Sequence, residues 1–279
     1  STLKYLAVTL WSVFVIAPFL WAISTSFKDF QSVTNGATYI PWVDFEPTLE
    51  GWRALWKSPA QGGVAIVEPF FNSVFVTAAG SAISIVLGTL AAYALSRFTF
   101  KAGPIRNGDI TFFFISQRIM PPVVLAIPFF IMLGKFSLLD TLVGLILVYI
   151  VLLMPIAVWI MVDFFNKVPR EIDETALIDG CNPYQAFYKV VLPQAATGIA
   201  STAIFCLIFA WNEYAFAVLL TSGVAQTAPP FIPTIIGVGG LDWPAVAAGA
   251  TIFLLPVMIF TIMLRKHLLR GITFGAVRK

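Results

Sequence analysis

The chain has 279 residues, of which 59% are hydrophobic and only 11% are charged, and its mean hydropathy is +0.89. A soluble globular domain carries about 25% charged residues, so this composition excludes a soluble fold and indicates a polytopic membrane protein. The small net charge of +3 gives no sign of a nucleic-acid partner, and two cysteines with a single histidine favour neither a disulfide framework nor a metal site.

Six nearly uncharged runs reach the roughly 20 residues that a helix needs to cross a bilayer. They cover residues 5–27, 69–96, 110–134, 141–162, 194–221 and 243–264. The first run is longer than a signal-peptide core and lacks a convincing small-residue cleavage site, so we expect a retained membrane helix. Small residues such as Gly80 and Gly88 recur in the second run and predict close helix packing. The pattern predicts an all-α fold with six transmembrane helices and both termini on the same side.

Lysine and arginine are distributed unevenly between the segments that join these spans. If the termini are cytoplasmic, twelve of the 17 positive residues lie in cytoplasmic segments and Arg118 lies within the third span. Only Lys28, Arg53, Lys57 and Lys135 then lie outside. Because cytoplasmic loops of membrane proteins are enriched in lysine and arginine, this distribution predicts cytoplasmic termini.

Residues 28–68, between the first two spans, contain the three tryptophans Trp42, Trp52 and Trp56 with scattered proline and glycine. We expect this segment to form an ordered cap on the outer side of the membrane. The tryptophans suit anchoring at the membrane interface, and contact with a protein outside the membrane is the alternative. The loop 222–242 is a second candidate for such a contact.

Two charged residues lie inside predicted spans, where a charge against lipid costs about 2.5 to 3.5 kcal/mol. Arg118 precedes Pro121 and Pro122, which predict a kink or break in the third span. Glu213 lies late in the fifth span, among side chains able to stack on a sugar and bind its hydroxyls. The candidate substrate-path residues are Gln117, Arg118, Trp211, Asn212, Glu213 and Tyr214. Hydrogen bonding between helices is the alternative role for these polar groups, and we favour it for Arg118.

The segment 166–193, here named the bracket, separates the fourth and fifth spans and reads as two short helices bent at a glycine. Gly180 suits the left-handed position that ends the first helix, since glycine has no Cβ to oppose it. Asn182 and Pro183 then predict a new N-cap and first helical residue, with Gln185 as the capping-box partner.

The second helix of the bracket carries a regular apolar pattern. Tyr184, Phe187, Tyr188 and Val191 stand at i, i+3, i+4 and i+7, which predicts a single aromatic stripe on one face. Leu192-Pro193 is expected to close this helix.

The bracket resembles the loop by which permeases of binding-protein-dependent ABC importers dock onto their ATPase. That loop runs Glu-Ala-Ala, three residues, Gly, nine residues, Ile, one residue, Leu-Pro. Here Glu174, Ala176, Gly180, Leu192 and Pro193 match it in register, with Thr175 and Val190 at the two differing positions. Residues 211–214 and the tail 271–277 are similar to the maltose-type carbohydrate permeases, specifically to the second of their two permease subunits.

This resemblance implies a MetI-like type I permease fold, with a first helix and external cap over 1–68, a permease core over 69–264 and a cytoplasmic tail over 265–279. It implies ATPase coupling through Glu174, Ala176, Gly180, Tyr184, Phe187, Tyr188, Leu192 and Pro193. It also implies a tail contact with the ATPase through Gly271, Gly275 and Lys279, although Arg278-Lys279 replaces the usual Lys-Gly ending.

The implied protein is a permease subunit for a sugar or polyol in a bacterial inner membrane. Its implied partners are an unlike permease subunit, an ATPase dimer, an external solute-binding protein and membrane lipid. The chain has no Gly-x-x-x-x-Gly-Lys-Ser/Thr loop and needs no cofactor of its own, so ATP and magnesium are expected on the partner ATPase. A secondary transporter or channel without an ATPase is the alternative, and a membrane enzyme lacks a catalytic constellation.

Overall fold

The structure, a computed structural model, describes residues 2–57, 65–237 and 240–275. The longer helices are α1 (Thr2–Thr25), α4 (Val67–Arg97), α5 (Asn107–Ser116), α6 (Pro122–Lys135), α7 (Leu142–Lys167), α11 (Ala196–Trp211) and α14 (Trp243–Gly275). The shorter ones are α2 (Phe30–Thr34), α3 (Glu50–Trp56), α8 (Arg170–Ile178), α9 (Pro183–Gln185), α10 (Leu192–Gln194), α12 (Ala215–Leu220) and α13 (Ala228–Phe231). A π-helical segment (Ala186–Val191) follows α9, and a 3-10 turn (Ile232–Thr234) follows α13.

Two antiparallel hairpins of two-residue strands complete the described structure. They pair β1 (Lys101–Ala102) with β2 (Ile105–Arg106), and β3 (Ile236–Gly237) with β4 (Gly240–Leu241). The fold is therefore mostly helical, as predicted, and the strands serve only as tight connections.

Among the described residues, four helices are long and apolar enough to cross a membrane: α1, α4, α7 and the first 21 residues of α14. The third predicted span is divided into α5 and α6, which confirms the expected break before Pro122. The fifth is divided as well, because α11 ends at Trp211 and α12 begins at Ala215. The six predicted spans are thus not confirmed among the described residues, and α11 also meets the end of the bracket at a bend of 75°.

Close contacts divide the chain into two units, the first of which comprises Ser1–Asn72 and Gln226–Pro256. Its core includes Leu55, Ile66 and Ile235. The segment after α1 contains the short helices α2 and α3 within residues 28–57, and its position as an external cap stays a prediction. Its Trp52 is half-buried and donates from Nε1 to Ser26 Oγ at 3.2 Å, whereas Trp42 and Trp56 are exposed. Trp52 is therefore a packing residue, and the other two remain available for an external contact.

The second unit comprises Ser73–Ala225 and Val257–Lys279. In its interior α4, α7 and α11 pack together around buried side chains that include Val76, Leu153 and Cys206. A Cβ added at Gly88 would lie 2.5 Å from the Cβ of Ala157, so the glycine lets α4 and α7 approach closely. This is the packing that the small residues of the second span predict.

The last helix differs from expectation at its end. The sequence predicts that the sixth span stops near Leu264 and that a flexible run of small residues follows. Instead α14 continues to Gly275 and includes Gly271. Lys279, the last of the predicted tail contacts, lies outside the described residues.

Candidate functional site

The first helix of the bracket, α8, ends at a glycine in the conformation that the sequence predicts. Gly180 has φ of +87°, in the left-handed region. Its N–H donates to Leu177 O at 3.1 Å, and the N–H of Cys181 donates to Ala176 O at 3.0 Å. These two bonds form a Schellman motif and satisfy carbonyls at the end of α8, so the turn has a defined direction.

A capping box starts the second half of the bracket, also as predicted. The N–H of Gln185 donates to Asn182 Oδ1 at 2.9 Å, and the N–H of Asn182 donates to Gln185 Oε1 at 3.1 Å. Pro183 occupies the first helical position, where its missing N–H has no helical partner to lose. Because the glycine ends α8 and the capping box starts α9, only the four residues 179–182 separate the two helices.

The predicted single stripe of aromatic residues is wrong. Phe187 is only 5% exposed and Val191 is fully buried, whereas Tyr184 is 78% exposed and Tyr188 also faces outward. The cause is the π-helical segment Ala186–Val191, whose i to i+5 bonding widens the turn and alters which residues share a face. Phe187 and Val191 are therefore buried in the core of the bracket, whereas Tyr184 and Tyr188 lie on its outer surface.

The outward surface of the bracket combines apolar and acidic side chains. Ile178 is 85% exposed, and Leu177 and Tyr184 are exposed beside it in the chain. Glu171 is exposed in the first turn of α8, where the helix dipole favours negative charge, and Glu174 is exposed in the middle of the helix. A shallow groove of about 330 Å³ opens next to the Schellman turn, lined by Glu171, Ile172, Thr175, Ala176, Asp179, Cys181 and Val190.

The remaining predicted coupling residues fall into two groups. Ala176 is buried and Leu192 is half-buried, so both support the bracket from within. Pro193 is exposed at the beginning of α10 and next to the bend that leads into α11. The predicted coupling residues therefore include side chains that support the bracket from inside as well as side chains on its surface.

A buried ion pair fastens the bracket to the end of α4. Arg97 Nε donates to Asp173 Oδ2 at 2.8 Å, and the two side chains are only 7% and 14% exposed. The Tyr93 hydroxyl donates to Asp173 Oδ1 at 2.7 Å. From the bracket side, Arg170 Nη2 donates to the carbonyl of Ser96 at 2.9 Å. Sequence reasoning missed this pairing, because Arg97 and Asp173 are far apart in the chain and neither lies in the matching motif.

Beneath the ion pair, three aromatic rings from three elements meet. The ring of Tyr93 in α4 lies 4.5 Å from that of Phe187 in the bracket and 5.5 Å from that of Phe165 in α7. Phe165, Phe187 and Val191 share one buried cluster. The apolar underside of the bracket is therefore continuous with the packing of α4 and α7.

The structure brings together the breaks in the third and fifth predicted spans. Arg118, between α5 and α6, places its guanidinium carbon 4.8 Å from the ring centre of Phe209. Arg118, Tyr149 and Glu213 line the same narrow cleft of about 30 Å³. Glu213 Oε1 accepts from the N–H of Phe216 at 2.9 Å and so caps the first turn of α12. Non-helical backbone at membrane depth is tolerated where it lines a polar cavity. Arg118 and Glu213 line such a cleft at these breaks, although residues 118–121, Asn212 and Tyr214 are exposed.

The other candidate substrate-path residues are arranged unequally. Trp211 is buried, with its ring 6.4 Å from that of Phe260 and nearly perpendicular to it. Asn212 is exposed, with Nδ2 donating to Ile208 O at 2.8 Å, and Tyr214 is also exposed. Gln117 is half-buried at the end of α5. Of the two aromatic candidates, Tyr214 is therefore the one with an accessible ring.

A second long-range contact, which the sequence did not reveal, connects the turn before α7 to the chain after α12 through hydrogen bonds. The carboxylate of Asp140 accepts from the backbone N–H groups of Ser222, Gly223, Val224 and Ala225 at 3.1 to 3.2 Å. Partial burial acts to raise the pKa of Asp140, but these four donors outweigh it, and the pKa lies below its usual value. The carboxylate thus holds four successive peptide groups in place.

Comparison with known proteins supports the resemblance of the bracket. The family profile "Binding-protein-dependent transport system inner membrane component" matches residues 84–273. The trehalose transport system permease protein SugB of Mycobacterium tuberculosis is 32% identical over 268 residues, which are 95% of this chain and 93% of that protein. The sulfoquinovosyl glycerol transport system permease protein SmoH of Agrobacterium fabrum is 30% identical, over 99% of this chain and 93% of that protein.

A solved structure of similar fold is the crystal structure of a bacterial ABC transporter involved in the import of the acidic polysaccharide alginate. It matches with a TM-score of 0.74 and 21% identity, over 95% of each chain. In transporters of this kind a separate subunit hydrolyses ATP. The profile match and the similarity to SugB and SmoH along nearly their whole lengths establish that the chain belongs to the family of binding-protein-dependent transport system inner membrane components, the permease subunits of ABC importers.

Proposed function

We propose that this chain is one of two unlike permease subunits of an ATP-driven importer for a sugar or polyol. The bracket docks on an ATPase dimer that carries ATP and magnesium, and an external binding protein delivers the solute. The chain lies in a bacterial inner membrane with cytoplasmic termini and crosses it six times if each divided span counts as one passage. Movement of the bracket then switches the path between inward-facing and outward-facing states.

The observation that carries this proposal is the outward face of the bracket. Large apolar side chains such as Ile178 and Tyr184 are exposed together on a segment whose bend is fixed by the Schellman turn and the capping box. Large apolar side chains exposed beside carboxylates favour a protein contact. Glu174 adds a carboxylate that suits a basic residue on the partner.

The solute class is proposed from the relatives and from the broken spans. SugB and SmoH are named for trehalose and for a sulfoquinovosyl glycerol, and both solutes carry many hydroxyl groups. Asn212, Glu213 and Tyr214 supply an amide, a carboxylate and an accessible ring at one break, and Gln117 and Arg118 supply polar groups at the other. Such a set suits the stacking and hydroxyl binding that sugars require.

The tail is proposed as a second contact with the ATPase, through Gly271, Gly275 and Lys279. Because α14 runs to Gly275, the tail would reach the ATPase as a continuation of the sixth span rather than as a flexible strand. We also propose the division that the family resemblance implies: a first helix and cap over 1–68, a core over 69–264 and a tail over 265–279.

Ile178→Ser tests the docking surface, because it removes an exposed apolar side chain without disturbing the core of the bracket. We expect the ATPase to co-purify less with the permease pair and the uptake of solute to fall. Ile105→Ser is the control and should leave both readouts unchanged, since Ile105 is also an exposed isoleucine but lies in the β2 strand, outside the bracket. Undiminished co-purification and uptake with Ile178→Ser would contradict the proposed docking surface, whereas a wild-type permease pair that binds no ATPase would favour an ATPase-independent transporter.

The solute is tested separately, with the assembled complex in proteoliposomes and its binding protein. ATPase activity is measured across a panel of disaccharides, oligosaccharides and polyols. Stimulation by at least one member is expected, and a complex that responds to none of them would refute the assigned class of solute.

A further inference from the structure

Two arginines tie the bracket and α4 to each other from opposite directions. Arg97, the last residue of α4, reaches into the bracket and contacts Asp173 in the first turn of α8. Arg170, the first residue of α8, reaches back to the carbonyl of Ser96. The second span is thus held to the bracket although about 70 residues of chain separate them.

Arg97 contacts a third element as well. Its Nη1 donates to the carbonyl of Phe165 and its Nη2 to that of Val168, both at 3.0 Å. These carbonyls belong to the C-terminal turn of α7 and its cap, where unpaired carbonyl groups and the helix dipole favour a cation. One guanidinium therefore joins the ends of α4 and α7 to the beginning of α8.

We propose that Arg97 is the positioning residue that makes the second span move with the bracket. The inference rests on the proposed function, in which an ATPase moves the bracket. In the covalent chain the bracket continues only into the fourth and fifth spans, so these alone would be expected to follow it. The Arg97 contacts add α4 as a third span that the ATPase drives.

Burial of the Arg97–Asp173 ion pair makes the connection between α4 and the bracket resist displacement. Removing one partner of a buried pair leaves a charge without compensation and is strongly unfavourable, so the intact pair resists separation when the bracket is displaced. Both oxygens of Asp173 are occupied, one by Arg97 and the other by Tyr93. Below them the close-packed rings of Tyr93, Phe165 and Phe187 oppose relative sliding, because packed interiors are hardly compressible.

Lysine is not an adequate substitute at this position. Its ammonium group keeps the positive charge, but it lacks the planar fork with which Arg97 reaches a carboxylate and two carbonyls at once. Arg97→Lys is therefore expected to be intermediate, and Arg97→Gln and Asp173→Asn to be more severe.

The first experiment measures coupling in the assembled transporter, reconstituted with its binding protein. For Arg97→Gln we expect the ATPase still to co-purify, because the outward face of the bracket is unchanged. The ratio of solute-stimulated to basal ATPase activity should fall about fivefold or more, which is the size of a typical coupling between sites. The matched control is Asp163→Asn, which breaks the exposed Asp163–Lys167 ion pair near the end of α7 and should leave the ratio unchanged.

The second experiment reads the movement directly and distinguishes it from a loss of folding. Spin labels are placed at Leu90→Cys in α4 and Lys189→Cys in the bracket, after Cys181 and Cys206 are replaced by alanine. With Arg97 present, the label distance should be the same in the resting complex and in the complex trapped with ATP and vanadate. With Arg97→Gln the two distances should differ. If Arg97→Gln does not accumulate in the membrane, Arg97→Lys provides the same comparison.

The outcomes separate this inference from the proposed function. If Ile178→Ser weakens ATPase docking while the Arg97 variants keep a normal stimulation ratio and a constant label distance, only the role of Arg97 is overturned. If Ile178→Ser leaves docking and stimulation intact, the proposed docking surface is overturned, and if the wild-type complex shows no solute-stimulated ATPase activity, the proposed function itself is overturned. A lowered ratio together with a distance that changes only in the Arg97 variants supports the inference.

Discussion

Replacement of Gly180 tests whether the geometry of the bracket, rather than only its surface, transmits the movement of an ATPase. A Cβ added at this position meets no described atom within 4 Å, so steric conflict with neighbouring elements contributes nothing to the effect. The cost lies in the backbone, because φ of +87° is left-handed. That conformation costs an ordinary residue about 1 to 2 kcal/mol, and a β-branched residue more.

The effects should therefore follow the backbone preference of the introduced residue. Asparagine visits the left-handed region readily, so Gly180→Asn should be close to wild type. Gly180→Ala should shift the equilibrium of the Schellman turn by about tenfold towards open forms, since about 1.4 kcal/mol corresponds to that factor. Gly180→Val should impair coupling most, because an opened turn changes the orientation of the half of the bracket that carries Tyr184.

The assay is uptake by the reconstituted transporter, together with the ratio of stimulated to basal ATPase activity. Membrane insertion is checked by the amount of permease recovered after detergent extraction, which should not change because Gly180 lies outside the predicted spans. Wild-type coupling in Gly180→Val would refute the reasoning. A Gly180→Asn variant as impaired as Gly180→Val would refute it too, and would indicate that the ATPase contacts Gly180 itself.

Five other variants test the remaining contacts. Glu174→Lys should weaken co-purification of the ATPase, because it replaces the exposed carboxylate proposed to pair with a basic residue of the ATPase by a positive charge; undiminished binding would contradict this. Asp140→Asn should lower the melting temperature at neutral pH. Because the pKa of Asp140 is depressed in the folded protein, its stabilisation is complete above the unfolded value of about 3.9 and is lost as the pH falls through the folded value, so wild type and variant should converge only in acid. Alanine at Asn212 or Glu213 should change the solute concentration dependence or the ranking of solutes, whereas loss of assembly alone would support a packing role. Deletion of residues 271–279 should leave membrane insertion intact and lower ATPase stimulation, and normal coupling at normal expression would show the tail to be dispensable.

Features of the bracket that depend on neighbouring residues could be predicted from the sequence. The left-handed Gly180 and the reciprocal bonds of Asn182 and Gln185 involve atoms at most five residues apart, so the residue types alone specify them. The break before Pro122 was predictable for the same reason, since proline removes a donor and clashes with the preceding turn. Composition likewise specified a membrane protein, and the spacing of Glu174, Ala176 and Gly180 specified its family.

Only the tertiary structure decided which side chains are buried and which distant ones meet. The π-helical segment turned Tyr184 and Phe187 to opposite sides, although their spacing in an α-helix places them on one face. The pairing of Arg97 with Asp173 and the seat of Asp140 against the chain after α12 join residues more than 70 positions apart. No local rule specifies such contacts, because their free energy comes from burial and satisfied hydrogen bonds that exist only after the helices have packed.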